Sequence, residues 1–191
     1  LIYLLYFAFD MPYPEAVITY THRPSNDSHS AYNRSTITYP GGKGFARDKF
    51  VMHYNDHGLN PSWAALGLPN LREGANRTLV VCTEGTLLLE PGGNMKIFRK
   101  GKQVNNEPKP KVAPRHHWHD WVENILGNKK PLWTPFGIGS RITEPALLAT
   151  KATRFPGQEL RWDAKNYRFT NHDQANKTIL KRNYAKGFEP V

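Results

Sequence analysis

Histidine is the residue type best placed to do chemistry in this chain of 191 residues. The histidines that could act together form two groups: His53 and His57, and His116, His117 and His119. Imidazoles at such spacings are typical of zinc sites, where Cys, Asp or Glu usually complete the ligand set. Apart from Asp56 and Asp120, no Asp, Glu or Cys lies at a spacing that would complete such a set. The pattern predicts no metal site and favours histidines that line a pocket or a surface, where one could act as an acid or a base at a sugar.

The glycine-rich pieces do not predict a nucleotide site within the chain. Gly41-Gly42-Lys43-Gly44 lacks the spacing of a phosphate-binding loop and precedes a predicted strand rather than a helix. Gly137 and Gly139 do precede a predicted helix, but the third glycine of a dinucleotide fingerprint would fall at Ile142. We therefore expect this segment to bind neither NAD nor NADP.

The chain is basic, with 26 Lys and Arg against 16 Asp and Glu and a net charge of +10. Such a balance can attract nucleic acid or an acidic partner. The basic residues are scattered rather than massed on a predicted recognition helix, so an ordinary solvated surface is the favoured interpretation. The single cysteine, Cys82, ends the apolar run that starts at Leu79 and is expected to be buried and inert.

The first residues, Leu1–Phe9, are almost entirely apolar. This run is about half of the ~20 residues that a membrane-spanning helix needs, so it predicts no membrane anchor. It also lacks the basic leader and small-residue cleavage site of a signal peptide. We expect it to be the end of a helix inside a longer protein.

Strands dominate the first two thirds of the sequence. Runs rich in β-branched and aromatic residues predict strands over 15–22, 36–39, 49–54, 79–82, 86–89 and 95–99. Asn55 to Asn76 is predicted to be a long loop. Thr83-Glu84-Gly85 predicts a tight hairpin with the glycine at the turn. Strands joined by short turns without intervening helices indicate a mostly antiparallel sheet.

The last third of the sequence is predicted to be mainly helical. One apolar helix face is formed by five residues ahead of Gly127: Trp118, Trp121, Val122, Ile125 and Leu126. A second helix is predicted from near Ser140 to Ala152, and two short strands over 159–162 and 167–170. A final helix opens on Asn171 with Gln174 three residues later, which is a capping-box pattern.

These elements predict an α+β fold, with a large, mostly antiparallel open sheet and helices packed on one face. We expect a single domain over residues 1–191. Within it, 1–11 would be the end of the upstream helix, 12–113 the sheet, and 114–191 the helices and closing strands.

Several motifs in the chain resemble those of one enzyme family. Glu159–Asn166, leading to Asn171, Asn176 and Tyr184–Phe188, is similar to a closing segment written leWDaknmkvtN…aN…Y…G(W/F). Three other matches lie earlier in the chain, and all of them occur in the family's order. His53–Asp56 with Gly58 is similar to wYDgG, His116-His117 with Trp121 to HH…W, and Thr143-Glu144 with Leu147-Leu148 to LtEtvLLg. Together they resemble the glucose–fructose oxidoreductase, inositol dehydrogenase and rhizopine-catabolism (Gfo/Idh/MocA) family over essentially the whole chain. Phe188 departs mildly from the pattern, since tryptophan is common there.

The resemblance implies that the chain is the C-terminal substrate-side domain of an NAD- or NADP-dependent oxidoreductase acting on a sugar, polyol or related carbohydrate. Its partners would be its own N-terminal Rossmann domain, the carbohydrate substrate and further copies of itself, which would associate through the sheet. The family's catalytic lysine belongs to that other domain, and its Asp and His pair would lie immediately upstream of Leu1. No catalytic residue is therefore expected within this chain.

The substrate-binding candidates are His116, His117, Tyr54, His53 and Trp63. Aromatic faces can stack on a sugar ring while imidazole and amide groups meet its hydroxyls. Two alternatives stay open: a non-catalytic carbohydrate-binding or oligomerisation module, and a basic nucleic-acid-binding domain. The compartment would be the cytoplasm, or the periplasm if a signal sequence precedes this segment.

Overall fold

The computed structural model of the chain describes residues 5–6, 9–20, 33–41, 49–56, 59–68, 77–90, 94–105, 111, 115–129, 131–133, 135–180 and 184–188. The chain divides into two compact units. One contains Leu1–Phe7 and Pro61–Ile142, and the other contains Ala8–Asn60 and Thr143–Val191.

The unit with Ala8–Asn60 contains a five-stranded sheet in the order β3-β2-β1-β8-β9. Its strands are β1 (Ala16–Thr19), β2 (Arg34–Pro40), β3 (Lys49–Asn55), β8 (Leu160–Asp163) and β9 (Arg168–Phe169). All neighbouring pairs are antiparallel. Along β2, Ser35, Ile37 and Tyr39 are buried while the residues between them are partly exposed, so one face of the sheet is packed and the other is open.

The unit with Pro61–Ile142 contains a four-stranded antiparallel sheet in the order β4-β5-β6-β7. The strands are β4 (Thr78–Val81), β5 (Thr86–Leu89), β6 (Met95–Arg99) and β7 (Lys102–Val104). Gly85 in the first hairpin approaches β6 so closely that a Cβ there would collide with the carbonyl oxygen of Phe98. The glycine predicted at this turn is therefore required by close packing of the backbone.

Three helices complete the described elements: α1 (His117–Ile125), α2 (Phe136–Ala152) and α3 (Asp173–Ile179). The C-terminal half of α2 buries Leu148, Ala149 and Ala152, and the hydroxyl of Thr19 in β1 donates to the carbonyl oxygen of Ala149 at 3.4 Å. Helix α3 is short and packs beside β9.

The α+β class with antiparallel sheets is confirmed. The strands form two sheets, of five and four strands, where one large sheet was expected. Periodicity reveals which segments are strands but not which strands pair, and the chain returns to β1 only with β8. The helices do not share one face of a sheet, because α1 lies in the unit with the four-stranded sheet while α3 lies beside β9.

Two local predictions are wrong. The N-cap of α3 is His172, whose Nδ1 accepts a hydrogen bond from the backbone N–H of Ala175 at 3.0 Å, so the expected capping box at Asn171 does not form. The side chain of Asn171 is bonded instead to the start of β8. Cys82 is exposed rather than buried, because it lies just beyond the end of β4 in the hairpin turn.

Candidate functional site

The open face of the five-stranded sheet brings four polar side chains together at one end. Arg34 lies opposite Asn55 and Thr36 lies opposite His53, so these residues of β2 and β3 share one face. The Oγ1 atom of Thr36 lies 3.1 Å from Nδ1 of His53 in a hydrogen bond. Arg34 and His53 are exposed, and Thr36 and Asn55 are partly exposed. We call these four residues the open-face cluster.

Tyr20 extends the open-face cluster towards β1. Its backbone N–H donates to the carbonyl oxygen of Arg34 at 2.7 Å, which continues the β1–β2 ladder by one residue. This register places Tyr20 opposite Arg34, and 50% of the residue is exposed. A ring beside hydroxyl, amide, imidazole and guanidinium groups is a combination that can hold a sugar, because the ring covers apolar C–H groups while the polar groups bond hydroxyls.

A buried polar network on the opposite face fixes the strands that carry the cluster. Thr19 and Ser35 share a hydrogen bond of 2.7 Å between their hydroxyls, and Ser35 also donates to Oδ1 of Asn33. All three residues are at most 1% exposed. The Nδ2 atom of Asn33 is buried and has no hydrogen-bond partner among the residues that the structure describes. Such a network holds β1 and β2 in a single register, since a slip would leave further buried polar groups unpaired.

Tyr54 does not join the open-face cluster, although it follows His53 directly. Adjacent residues of a strand point to opposite faces, and Tyr54 lies opposite the buried Ser35. Partial burial, and to a smaller extent the charge of Asp56, raises the pKa of the Tyr54 hydroxyl above its ordinary value. Asp56 itself accepts a 2.7 Å hydrogen bond from the backbone N–H of Asn33, so it fastens the end of β3 to the start of β2. In this motif His53 and Asn55 face the open side, whereas Tyr54 between them does not.

His116 and His117 lie at the start of α1 and are exposed. The rings of His116 and His119 stack with their centroids 4.1 Å apart, and those of His116 and His117 with centroids 5.9 Å apart. Both candidates belong to the unit with the four-stranded sheet, while His53 and Tyr54 belong to the other. A common surface for His116, His117 and Tyr54 stays a prediction. Among the described ranges, no three His, Cys, Asp or Glu residues are arranged to hold a metal ion.

Helix α1 is oriented with its apolar face outwards. Its single buried residue is Asp120, whose carboxylate forms a 2.7 Å ion pair with Arg115, and the Arg115 guanidinium lies 5.1 Å from the ring centre of Trp133. The apolar face defined by sequence is 46–69% exposed: Trp118, Trp121, Val122, Ile125 and Leu126. The ion pair joins the start of the helix to the residue just before its N-cap, and Arg115 also donates to the carbonyl oxygen of Pro131 at 2.7 Å.

Trp63 lies in the turn segment Pro61–Leu68 and is partly exposed. Its indole nitrogen is buried, with no hydrogen-bond partner in the described part of the chain. The backbone carbonyl of Trp63 accepts hydrogen bonds from Leu66 and Leu68, at 3.1 and 2.8 Å, so the residue sits inside a compact turn. Its polar atom is therefore not presented to a ligand at the surface.

The residues of α2 do not form a dinucleotide cradle. A phosphate site needs a glycine-rich loop ahead of a helix N-terminus, so that free N–H groups point at the ligand. Gly137 and Gly139 instead lie within the first turn of α2, and a Cβ at either would meet open space. These glycines do not fit NAD or NADP. The earlier glycine-rich piece lies almost wholly outside the described residues.

Two of the family-like motifs are in direct contact. Nε1 of Trp162 in β8 donates a 2.7 Å hydrogen bond to Oε1 of Glu144 in α2. Partial burial raises the pKa of the Glu144 carboxyl above 4.5, and the hydrogen bond from Trp162 opposes that rise. The Trp162 ring also packs against Phe169 of β9, with centroids 5.0 Å apart. The hydrogen bond from the indole to the carboxyl group of Glu144 joins α2 to the sheet.

The asparagines of the closing segment bond the backbone on both sides. Asn171 accepts from the N–H of Arg161 and donates to the carbonyl of Glu159, both at 2.8 Å. Asn176 does the same to the N–H and carbonyl of Phe169, at 2.7 and 2.8 Å. An amide is the side chain that can supply both a donor and an acceptor in this way. These motif residues therefore hold the fold together rather than contact a ligand.

The turn between β8 and β9 carries an unusual tyrosine. Oδ1 of Asp163 accepts from the N–H groups of Lys165 and Asn166, both at 3.1 Å, which forms the turn that the sequence predicts. Tyr167 completes it with a φ of 49°, a left-handed conformation that costs a bulky residue energy. Its ring is two-thirds exposed and makes an edge contact with Trp162.

The chain matches no protein-family model, and no curated protein is significantly similar to it. Within the described segments, no helix is both long enough and apolar enough to cross a bilayer.

Proposed function

We propose that the chain is the substrate-side domain of an NAD- or NADP-dependent oxidoreductase that acts on a sugar, polyol or related carbohydrate. The observation that carries the proposal is the open-face cluster, in which Thr36, His53 and Asn55 present hydroxyl, imidazole and amide groups on an accessible sheet face. These groups can hold and orient the hydroxyls of a carbohydrate. Hydride transfer would need a dinucleotide-binding domain, because α2 offers no cradle for the cofactor.

The contact between Glu144 and Trp162 supports the family resemblance on which the proposal also rests. The two residues lie 18 positions apart in sequence and belong to two separately matched motifs. Their hydrogen bond is a structural reason for both motifs to occur in one chain. In the parent enzyme, this domain would bind the carbohydrate and direct its carbinol carbon to the nicotinamide. The domain would thus control substrate orientation rather than the chemical step.

A non-catalytic carbohydrate-binding module is a second candidate, because the same open face would serve it without a partner domain. The two candidates differ in whether the gene product oxidises the carbohydrate that it binds. A nucleic-acid-binding role has weaker support, since exposed basic residues lie in both units, for example Arg34 and Lys49 in one and Lys100 in the other.

The first test is titration of the isotope-labelled chain with neutral sugars and polyols, followed by NMR. We expect the amide signals that shift to belong to β2 and β3. Thr36→Val removes a hydroxyl and keeps the shape, so it should weaken binding, as should His53→Ala. Thr86→Val, in the four-stranded sheet, is the matched control and should change nothing. Failure of every carbohydrate to shift β2 and β3 would exclude the open-face cluster as the binding site.

A further inference from the structure

Arg34 is the arginine of the open-face cluster, and the described part of the chain supplies it with no counter-charge. It is exposed and forms no ion pair with any residue that the structure describes. The other arginines in the sheet differ: Arg161 pairs with Glu159 at 3.0 Å, and Arg168 lies 3.9 Å from Asp163.

The charge of Arg34 also lies at one end of the open sheet face, far from the charge of Lys49. Lys49 lies at the far end of β3, opposite Pro40, while Arg34 is opposite Asn55 at the near end. At a strand rise of about 3.3 Å per residue, the two ends are about 20 Å apart. A ligand the size of one sugar that contacts Thr36 and His53 therefore meets Arg34 and not Lys49.

We infer that the open-face cluster selects a carbohydrate that carries a carboxylate, a uronic or aldonic acid rather than a neutral sugar. This inference rests on the proposed function and adds the substrate class. A guanidinium presents a planar fork of N–H donors that matches the two oxygens of a carboxylate. Thr36, His53 and Asn55 then remain for the hydroxyls, and Tyr20 is placed to cover one face of the ring.

A carboxylate fits this site better than a phosphate group. A phosphate ester carries about −1.5 to −2 charges at neutral pH and is usually held by several cations or by free backbone N–H groups. The backbone N–H groups that β2 and β3 direct towards each other donate to carbonyl groups across the antiparallel ladder, and Arg34 is the one guanidinium in the cluster. A single monovalent anion is what this arrangement can neutralise.

The test compares matched ligands that differ only in charge. Glucose with glucuronate, and galactose with galacturonate, are titrated into the full chain, with glucose 6-phosphate as the phosphate arm. We expect each acid to bind on the order of tenfold more tightly than its neutral sugar, which corresponds to about 1.4 kcal/mol. The phosphate should not exceed the acids.

Variants separate the local effect of Arg34 from the overall charge of +10. Arg34→Gln should abolish the preference for the acids, and Arg34→Lys, which keeps the charge but loses the fork, should retain part of it. Arg161→Gln removes the same charge from an arginine already paired with Glu159 and should keep the preference. Melting curves of the variants check that they fold, which is expected because the Arg34 side chain is exposed.

Four outcomes would overturn the inference. Equal affinity for acid and neutral sugars would do so while leaving the proposed function standing, and so would equal losses in Arg34→Gln and Arg161→Gln, which would indicate a long-range charge effect. Tighter binding of glucose 6-phosphate would replace the carboxylate by a phosphate. Absence of binding by every carbohydrate would remove both the inference and the proposed function.

Discussion

The hydrogen bond between Trp162 and Glu144 gives the sharpest stability prediction, because it joins α2 to β8 through two motif residues. Trp162→Phe keeps an aromatic ring against Phe169 and removes the indole N–H. A hydrogen bond to a charged group contributes about 1.5–3 kcal/mol when it is well shielded. The pair is only partly buried, so we expect the lower end, about 1.5 kcal/mol of coupling at pH 7.

A double-mutant cycle isolates this coupling from the loss of ring volume. The free energy of unfolding is measured by denaturant titration, followed by far-UV circular dichroism, for the parent chain, Trp162→Phe, Glu144→Ala and the double variant. Both residues belong to the unit with the five-stranded sheet, so they report on one cooperative structure. Additivity of the two changes within about 0.3–0.5 kcal/mol would refute the contact.

The pH dependence of stability is a second test of the contact between Glu144 and Trp162. Partial burial raises the pKa of Glu144 above 4.5, despite the hydrogen bond from Trp162. A carboxyl whose pKa is raised by folding stabilises the folded state fully below its unfolded pKa, and this stability is lost as pH rises through the folded pKa. Glu144→Gln should therefore flatten the fall in stability above pH 4.5. Trp162→Phe removes the hydrogen bond that favours the charged form of Glu144, so it should make the fall in stability steeper.

Three further predictions follow from local geometry. Tyr167→Gly should be more stable than Tyr167→Ala by about 1 kcal/mol in thermal or denaturant unfolding, because a residue with a Cβ is strained at a φ of 49°; equal stability would deny that strain. Asn171→Ala should cost about 0.5–1.5 kcal/mol, since it removes the side-chain partner of the Arg161 N–H and the Glu159 carbonyl, and a neutral result would show that water replaces the amide. Cys82 should react with a water-soluble thiol reagent in the folded chain as fast as in the unfolded chain, whereas strong protection would contradict its exposure.

The strands are the part of the fold that sequence reasoning predicts best. Residues 86–89 and 95–99 are strands in both the prediction and the structure. Strand β7 was missed because Lys102-Gln103-Val104 has no apolar alternation. It forms because Lys100 and Gly101 both adopt positive φ, of 50° and 75°, and turn the chain back on β6. A two-residue turn with both φ values positive fits a hairpin, but Lys-Gly is a weak signal for it.

Helix α1 shows where pattern reasoning fails for a physical reason. Its position was predicted to within one or two residues, yet the apolar stripe faces outwards. The orientation of a helix depends on the contacts that each of its faces can make, as well as on its apolar pattern. Here the buried residue is Asp120, which is paired with Arg115, and neither residue belongs to the periodic pattern.

The open-face cluster was only partly predictable. His53 was identified because it lies at a strand end in a family-like motif. Its cross-strand partner Thr36 was missed, as was Arg34 opposite Asn55, because the register between β2 and β3 cannot be read from either strand alone. The alternation of Arg34, Thr36 and Thr38 along β2 was the available signal. The same period of two would have separated His53 from Tyr54.

The central claim is tested most directly by an assay of the full gene product, which we propose to contain a dinucleotide-binding domain as well as this chain. Formation of reduced nicotinamide is measured with NAD and with NADP against a panel of sugars, polyols and sugar acids. We expect turnover with at least one carbohydrate and, for Thr36→Val, a raised KM with little change in kcat, as a domain that binds and orients the substrate would give. Absence of carbohydrate-dependent reduction, or binding of NAD or NADP by this chain on its own, would contradict the central claim.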